Sequence, residues 1–349
     1  MNIMMLTMRQ IILMATLMVL GAGLASAGTI TYTCAPSVVA ATCNYLNTTI
    51  AGQYSSTFTN ASADIYIQYG TTGLAETSAF NNDVSYTAYV AALLANPNKD
   101  SLQVAALASL NTYAATPYGS GDVDITDALG TALGFTGLTG STATGASCSF
   151  PSAGCYNAVV TVTNDPSTPL YYDNLGGPEP SDAYDFYAVV EHETDEVLGT
   201  ASCIDTSGTL SDGCDDPNEP SAVDLFRYSS AGHLVLDSSL STTPGAYFSY
   251  NGGTTNGANG FVYNTLDNGE DYADFVNNCP AGPFSIQDAE GCPGTDAGLS
   301  IRNDGGAEIN ILNAVGYDLQ PTATPEPGTI ILFGGGLVTL IGLRKRRRV

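Results

Sequence analysis

The stretch Tyr187–Thr200 reads Tyr-Ala-Val-Val-Glu-His-Glu-Thr-Asp-Glu-Val-Leu-Gly-Thr, and it decides how the rest of the chain is interpreted. It contains His192, one of two histidines in 349 residues, with Glu193 and Glu196 close by. Residues four apart on a helix share a face, so His192 and Glu196 can reach a common point. Gly199 then allows the helix to end and the chain to turn. The stretch predicts a central helix that presents an imidazole and a carboxylate to one site.

This spacing matches the H-E-x-x-H helix of zinc hydrolases, with Glu196 in place of the second histidine. Imidazole and carboxylate are both zinc ligands, and a neighbouring carboxylate serves as the general base. We therefore expect His192 and Glu196 to bind Zn²⁺ and Glu193 to be catalytic. The alternative interpretation of so short a motif in an acidic chain is a solvated acidic helix.

The elements around this stretch indicate an α+β fold. A helical stripe runs from Val39 to Phe58, a strand alternates over Asp64–Tyr69, and a second strand covers Val159–Val162. Further helices are predicted at Tyr86–Leu94, Leu102–Leu110, Thr126–Leu133 and Ala307–Val315, and further strands at Val123–Ile125, Leu170–Tyr172, Asp224–Leu236 and Ala246–Tyr250. Gly134–Gly154 is expected to be a long loop, and Ser181 to cap the central helix. We expect an α+β domain with a small mixed sheet.

Both ends of the chain carry targeting signals. Met1–Ala27 combines Arg9, an apolar run and a small-residue cleavage site, which is typical of a secretory signal peptide. Residues 321–349 contain Pro325-Glu326-Pro327, the apolar stretch Gly328–Leu343 and a basic tip. The basic tip favours a cytoplasmic end, with the body outside the membrane. Residues 28–320 are left as the folded domain.

The C-terminal features, in this order, resemble the PEP-CTERM sorting signal of Gram-negative bacteria. The resemblance implies processing by an exosortase, transient anchoring in the inner membrane by a short transmembrane helix, and release to the cell surface or exopolysaccharide matrix.

Eight cysteines lie in the folded region as four pairs that are close in sequence, and an even count in an exported chain indicates disulfides. The spacing suggests the local pairs Cys34–Cys43, Cys148–Cys155, Cys203–Cys214 and Cys279–Cys292. Residues 28–320 also contain only three basic residues (Lys99, Arg227 and Arg302) against 33 acidic ones, a formal charge of −30. Such a surface repels nucleic acid and anionic lipid, and it can attract cations such as Ca²⁺.

The central helix and three later segments together resemble a family of PEP-CTERM-anchored metalloproteases. These segments are Glu191–Thr200, Asp224–Tyr228, Tyr247–Ser249 with Gly252-Gly253, and Leu312–Asp318. The family carries H-E-x-x-E-x-x-G where metzincins carry H-E-x-x-H-x-x-G. The resemblance implies a zincin-like fold, a zinc-dependent endopeptidase acting on proteins or peptides, and site roles for His192, Glu193 and Glu196.

A third metal ligand remains open. The metzincin position is Ser202, a poor zinc ligand, and no methionine follows the signal peptide to form a Met-turn. Asp224 is the first candidate because it lies in the second family segment, although an ion pair with Arg227 is the alternative. Asp205 and His233 are the other candidates.

Two hypotheses follow: an exported zinc metallopeptidase, or a non-catalytic surface or matrix protein that retains the zincin fold and binds Ca²⁺. The acidic loop with Asp212, Asp215, Asp216 and Glu219 has oxygen ligands for Ca²⁺, but it lacks EF-hand spacing.

Overall fold

The structure is a computed structural model that describes residues 28–114, 121–172, 179–204, 209–210, 214, 219–237, 245–264, 270–276, 279–280, 282–295, 301 and 306–321. It divides the chain into one unit of Met1–Leu319 and a second of Gln320–Val349. The predicted signal peptide and most of the C-terminal signal, including its apolar stretch, lie outside the described residues. Within the described residues, no helix has the length and apolar character needed to cross a bilayer.

The mixed α+β class is confirmed, with several small sheets. The principal sheet contains β1 (Ile30–Cys34), β2 (Ala63–Gly70), β9 (Ala158–Thr163) and β3 (Ala75–Ala79), in that order. The first three strands are parallel, whereas β3 runs antiparallel to β9 and forms an edge. Val160 and Val162 of β9 are fully buried, because helices cover this sheet.

The remaining strands form short pairs and triplets. β4 (Asn81–Ser85) pairs with β5 (Asp122–Thr126), and β10 (Leu170–Tyr171) pairs with β11 (Tyr184–Asp185). A three-stranded sheet combines β6 (Thr139–Thr142), β7 (Ser147–Ser149) and β8 (Cys155–Tyr156). Another combines β12 (Arg227–Ser230), β13 (His233–Leu234) and β14 (Tyr247–Phe248).

Helices flank the principal sheet. The predicted stripe forms α1 (Ala40–Tyr45), a π-helical turn (Leu46–Ile50) and α2 (Ala51–Thr57). The others are α3 (Tyr86–Ala95), α4 (Ser101–Ala114), α5 (Asp127–Ala132), α6 (Phe186–Asp195), which continues into a π-helical turn (Glu196–Thr200), and α7 (Ala307–Val315). The central helix α6 packs on β3 and β9, and α7 packs on the π-helical turn. This arrangement places the His192 helix in the middle of the fold.

Three predictions of local structure were wrong. The segment Gly134–Gly154 contains β6 and β7 rather than only loop, because Cys148–Cys155 and β8 complete a small sheet. The expected strand Asp224–Leu236 is a 3₁₀ turn followed by a hairpin that bends at Gly232, where φ is +75°. The helix cap is Asp185 instead of Ser181. By contrast, all four predicted disulfides are confirmed.

Candidate metal and catalytic site

The central helix is fixed at both ends. At its start, Asp185 accepts hydrogen bonds from the backbone N–H groups of Tyr187 (2.7 Å) and Ala188 (3.3 Å), which satisfies donors at the first turn. At its end, Gly199 takes φ of +109°, a conformation that a residue with a Cβ rarely adopts. The H-E-x-x-E-x-x-G stretch therefore forms a helix and a turn of defined length.

His192 is held with one ring nitrogen toward two carboxylates. Its Nδ1 lies 2.8 Å from the backbone carbonyl oxygen of Ile286. A carbonyl only accepts, so Nδ1 carries the hydrogen and donates it. Nε2 then lies 3.6 Å from Glu196 Oε1 and 3.5 Å from Asp274 Oδ1. This arrangement, an imidazole oriented through its second nitrogen by a carbonyl, is common among metal-ligating histidines.

The segment that orients His192 is itself tied to the helix. Gln287, next to Ile286, donates from Nε2 to the His192 carbonyl (3.3 Å) and accepts at Oε1 from the Thr200 hydroxyl (3.1 Å). Glu308 of α7 accepts from the Ser285 hydroxyl at 2.5 Å. These contacts connect three distant parts of the chain and fix the position of the imidazole.

Glu193 is almost completely buried beside the principal sheet. Its Oε2 accepts a 2.6 Å hydrogen bond from the Thr77 hydroxyl of the edge strand β3. Burial, together with repulsion from Glu196, raises the pKa of Glu193 to about 8. The carboxylate is thus positioned by the sheet and next to His192, as a general base requires.

Asp274 comes from a loop that the sequence did not single out. Its carboxyl is 4% exposed, and burial raises its pKa well above the usual range even though His192 opposes the shift. The Asp274 backbone is held by hydrogen bonds to Asn264 and Asp271. The carboxylate of Asp271 in turn accepts from the Ser202 backbone N–H at 3.0 Å from both oxygens. The loop is therefore anchored just beyond the end of the central helix.

A buried arginine supports the same loop. Arg227 is 1% exposed, and its guanidinium donates to the backbone carbonyls of Tyr272 and Asn264. It also lies over the ring of Tyr263, 4.8 Å from the centroid. One of the few basic residues of the folded region thus holds the segment that leads into Asp274.

Asp224, the first candidate for the third ligand, has a different set of contacts. Its Oδ1 accepts from the Ser202 hydroxyl (2.6 Å), and its Oδ2 accepts from the backbone of Cys203 (2.8 Å) and from both the backbone and hydroxyl of Ser221 (3.0 and 2.9 Å). Four donors occupy the two oxygens, so the carboxylate connects the segment of Ser202 and Cys203 to Ser221. The aspartate that lies next to His192 Nε2 is Asp274.

The other candidates are also separate from this group. His233 is exposed on the hairpin between β12 and β13. Asp205 lies outside the described residues, as do Asp212, Asp215 and Asp216 of the proposed calcium loop. Asp274 could not be found from the motif, since 82 residues separate it from His192 and its local sequence has no metal-binding spacing.

The donor set fits a small dication. The ligand atoms of His192, Glu193 and Glu196 lie within 4.8 Å of one another. Asp274 is not part of that group, but its Oδ1 lies 3.5 Å from His192 Nε2. Tetrahedral zinc with bonds of about 2.0–2.1 Å separates its ligands by roughly 3.3 Å. The 3.5 and 3.6 Å separations from His192 Nε2 are close to that value. The two carboxylates approach Nε2 from different segments of the chain, Glu196 from the same helix and Asp274 from a loop.

A groove of about 780 Å³ opens at this group. His192 and Glu193 line it. Ala75 and Glu76 of the edge strand β3 and Leu74, the residue before that strand, line it as well. Ile286, whose carbonyl orients His192, contributes another part of the lining. The groove therefore has room for a ligand of peptide size next to His192 and Glu193, while Glu196 and Asp274 do not line it.

Comparison with known proteins identifies the C-terminal signal. Residues 323–348 match the family described as PEP-CTERM protein-sorting motif. Neither the curated proteins nor the solved structures gave a match. The motif indicates a secreted, C-terminally anchored surface protein of a Gram-negative bacterium that is processed by an exosortase.

Proposed function

We propose that the exported chain is a zinc-dependent peptidase in which His192, Glu196 and Asp274 bind the metal and Glu193 is the general base. The observation that carries the proposal is the convergence of Glu196 and Asp274 on His192 Nε2, beside the buried Glu193. Two carboxylates from distant segments approach one imidazole, whose other nitrogen is already fixed by a carbonyl. This combination is typical of a metal centre.

The donor chemistry favours zinc over calcium at this position. Calcium takes six to eight oxygen ligands, whereas imidazole is a common ligand of zinc. A bound zinc ion supplies Lewis acidity and makes a coordinated water easier to deprotonate. Calcium remains a separate prediction for the acidic loop that includes Asp212, Asp215, Asp216 and Glu219.

The protein side of the mechanism rests on Glu193. Its carboxylate accepts a proton from the attacking water and returns it to the leaving amine. The Thr77 hydroxyl donates to Glu193 Oε2, so the second oxygen is the one left to receive the proton. The Ile286 carbonyl holds His192 in the tautomer whose Nε2 faces the metal position. The edge strand β3 thus supports the base and borders the groove that a peptide would enter.

A zincin-like fold accompanies this proposal. Support comes from the central helix, the small mixed sheet against which it packs, and the turn at Gly199. The surface location indicated by the sorting motif is consistent with protein or peptide substrates and with the exopolysaccharide matrix as a partner.

The test is metal content and peptide cleavage by the exported chain, produced where its four disulfides can form. We expect about one zinc per chain in the wild type and in His233→Ala, which changes the exposed histidine, and none in His192→Ala. Glu193→Gln should keep zinc and the Thr77 contact but lose cleavage by about 10²–10⁴-fold. A wild type without zinc would refute the peptidase and support the non-catalytic surface protein. Zinc binding that survives in His192→Ala would place the metal elsewhere.

A further inference from the structure

The groove at the candidate site is lined by negative charge. Besides His192 and Glu193, its lining includes four exposed carboxylates: Glu76, Asp165, Glu270 and Glu290. None of the described lining residues is a lysine or arginine. The ionisable groups that a ligand meets in the described part of this groove are therefore acidic, apart from one imidazole.

These carboxylates come from separate segments that surround the site. Glu76 lies on the edge strand β3, one residue before Thr77, which binds Glu193. Asp165 lies in the turn that follows β9, and its pKa is lowered by hydrogen bonds from Ser167. Glu270 and Glu290 precede and follow the segments that carry Asp274 and Ile286. The charge therefore lies beside the proposed catalytic groups and is built into the groove.

Apolar side chains line the same groove. Leu74, Val189 and Phe284 contribute carbon surface, and Tyr184 adds an aromatic ring. Lysine and arginine combine an apolar stem with a cationic head, so the stem can pack on such surface while the head stays near a carboxylate. An anionic chain would meet repulsion at the same positions.

We propose that this groove selects extended peptides that carry lysine or arginine, and that such cationic peptides are the substrate class of the enzyme. The inference rests on the proposed function, because it describes the ligand of the same site. The edge strand favours a peptide over other cationic polymers, since an extended chain can pair with exposed backbone groups of a sheet edge.

Binding can be measured without turnover or bound zinc. The ligands are fluorescent ten-residue peptides that differ only in carrying two lysines or two acetyl-lysines, titrated by anisotropy into the full exported chain with Glu193→Gln. Since a partly exposed charge pair contributes a few-fold in affinity, we expect roughly tenfold tighter binding of the lysine peptide at low salt. The preference should shrink as salt is raised to about 0.5 M.

Two further variants separate the groove from the net charge of the protein. Glu76→Gln with Glu290→Gln removes two charges from the lining, and we expect the preference to fall to about two- to threefold. Asp64→Asn with Asp83→Asn removes two exposed charges that do not line the groove, and the tenfold preference should remain. Equal loss in both double variants would refute the inference, because net charge alone would then explain the preference.

Other outcomes distinguish this inference from the proposed function. No preference for the lysine peptide would refute the inference, whether or not either peptide is cleaved. A groove-dependent preference in a chain that cleaves nothing would support the binding specificity and reject the peptidase. Tighter groove-dependent binding of a glucosamine oligomer than of the lysine peptide would reject a peptide as the ligand.

Discussion

Replacing Asp274 with asparagine tests the third metal ligand directly. The substitution removes one negative charge and barely changes side-chain volume. Asp274 Oδ1 lies 3.5 Å from His192 Nε2. A unit positive charge at that distance from the carboxylate would interact with it by about 5 kcal/mol at an effective dielectric constant of 20, which sets the scale for a cation bound between the two. Mutation of a residue that only hydrogen-bonds to a metal ligand typically lowers metal affinity by about 10–100-fold. Because solvent screens part of this interaction, we expect Asp274→Asn to weaken zinc binding at least 100-fold, which corresponds to about 2.7 kcal/mol of binding free energy.

The matched control is Asp224→Asn, an equally buried aspartate with a different role. Its carboxylate is occupied by Ser202, Cys203 and Ser221, so the change should cost about 1–3 kcal/mol of stability but leave zinc affinity within about fivefold. Zinc affinity is measured by competition with a chromophoric chelator, and circular dichroism checks folding. An unchanged affinity in a folded Asp274→Asn chain would exclude Asp274 as a ligand. A 100-fold loss in Asp224→Asn alone would restore the first candidate.

Changes at four further positions test the helix and its surroundings. Glu196→His recreates the common H-E-x-x-H pair and should keep zinc binding within about tenfold, whereas Glu196→Leu should lose it, as equilibrium dialysis would show. Tyr54→Phe removes a 2.8 Å hydrogen bond to the buried Asp195 carboxylate and should lower the urea-derived free energy of unfolding by about 2 kcal/mol. Gly199→Ala should cost about 1–3 kcal/mol in the same assay, because φ there is +109°. Burial raises the pKa of Asp127 to about 7, above its value in the unfolded chain. The protonated carboxyl therefore contributes its full stability below pH 4, and this contribution is lost as the pH rises through 7. Asp127→Asn should flatten the fall of the melting temperature with pH, measured from pH 5 to 8.

The sequence predicted those parts of the fold that rest on local signals. Apolar spacing located the stripe from Val39 to Phe58 and the helix Ala307–Val315, because most of each stripe is buried; Val39 itself is exposed. Adjacent cysteines paired correctly because each loop is short. The edge strand β3 was missed: its sequence Ala-Glu-Thr-Ser-Ala has little apolar character, and it pairs with residues of β9 that lie about 80 positions or more along the chain, from Ala79 with Ala158 to Ala75 with Val162.

The candidate site shows the same division. His192, Glu193 and Glu196 follow from helix geometry alone, since they lie within five residues of one another. Asp274 and Thr77 reach the same point through tertiary structure, from a loop and a sheet edge on opposite sides of the helix in sequence. No spacing rule connects residues that the fold brings together in this way. Asp224 stays an untested prediction: the motif around it does not reveal that its oxygens accept from Ser202, Cys203 and Ser221.

Several acidic side chains surround His192, and their burial bears on the proposed metal. Glu193, Glu196, Asp271 and Asp274 gather near one imidazole, and burial raises the pKa of Asp271 to about 8. Buried carboxylates without compensation destabilise a fold, because each loses its hydration. Arg227 donates to backbone carbonyls of the Asp274 loop and not to these carboxyl groups, so their raised pKa values favour the protonated, neutral forms unless a cation is bound. A dication held by His192, Glu196 and Asp274 balances two negative charges at one point. The proposed metal centre would therefore give this group of acids a role that a purely structural interpretation does not supply.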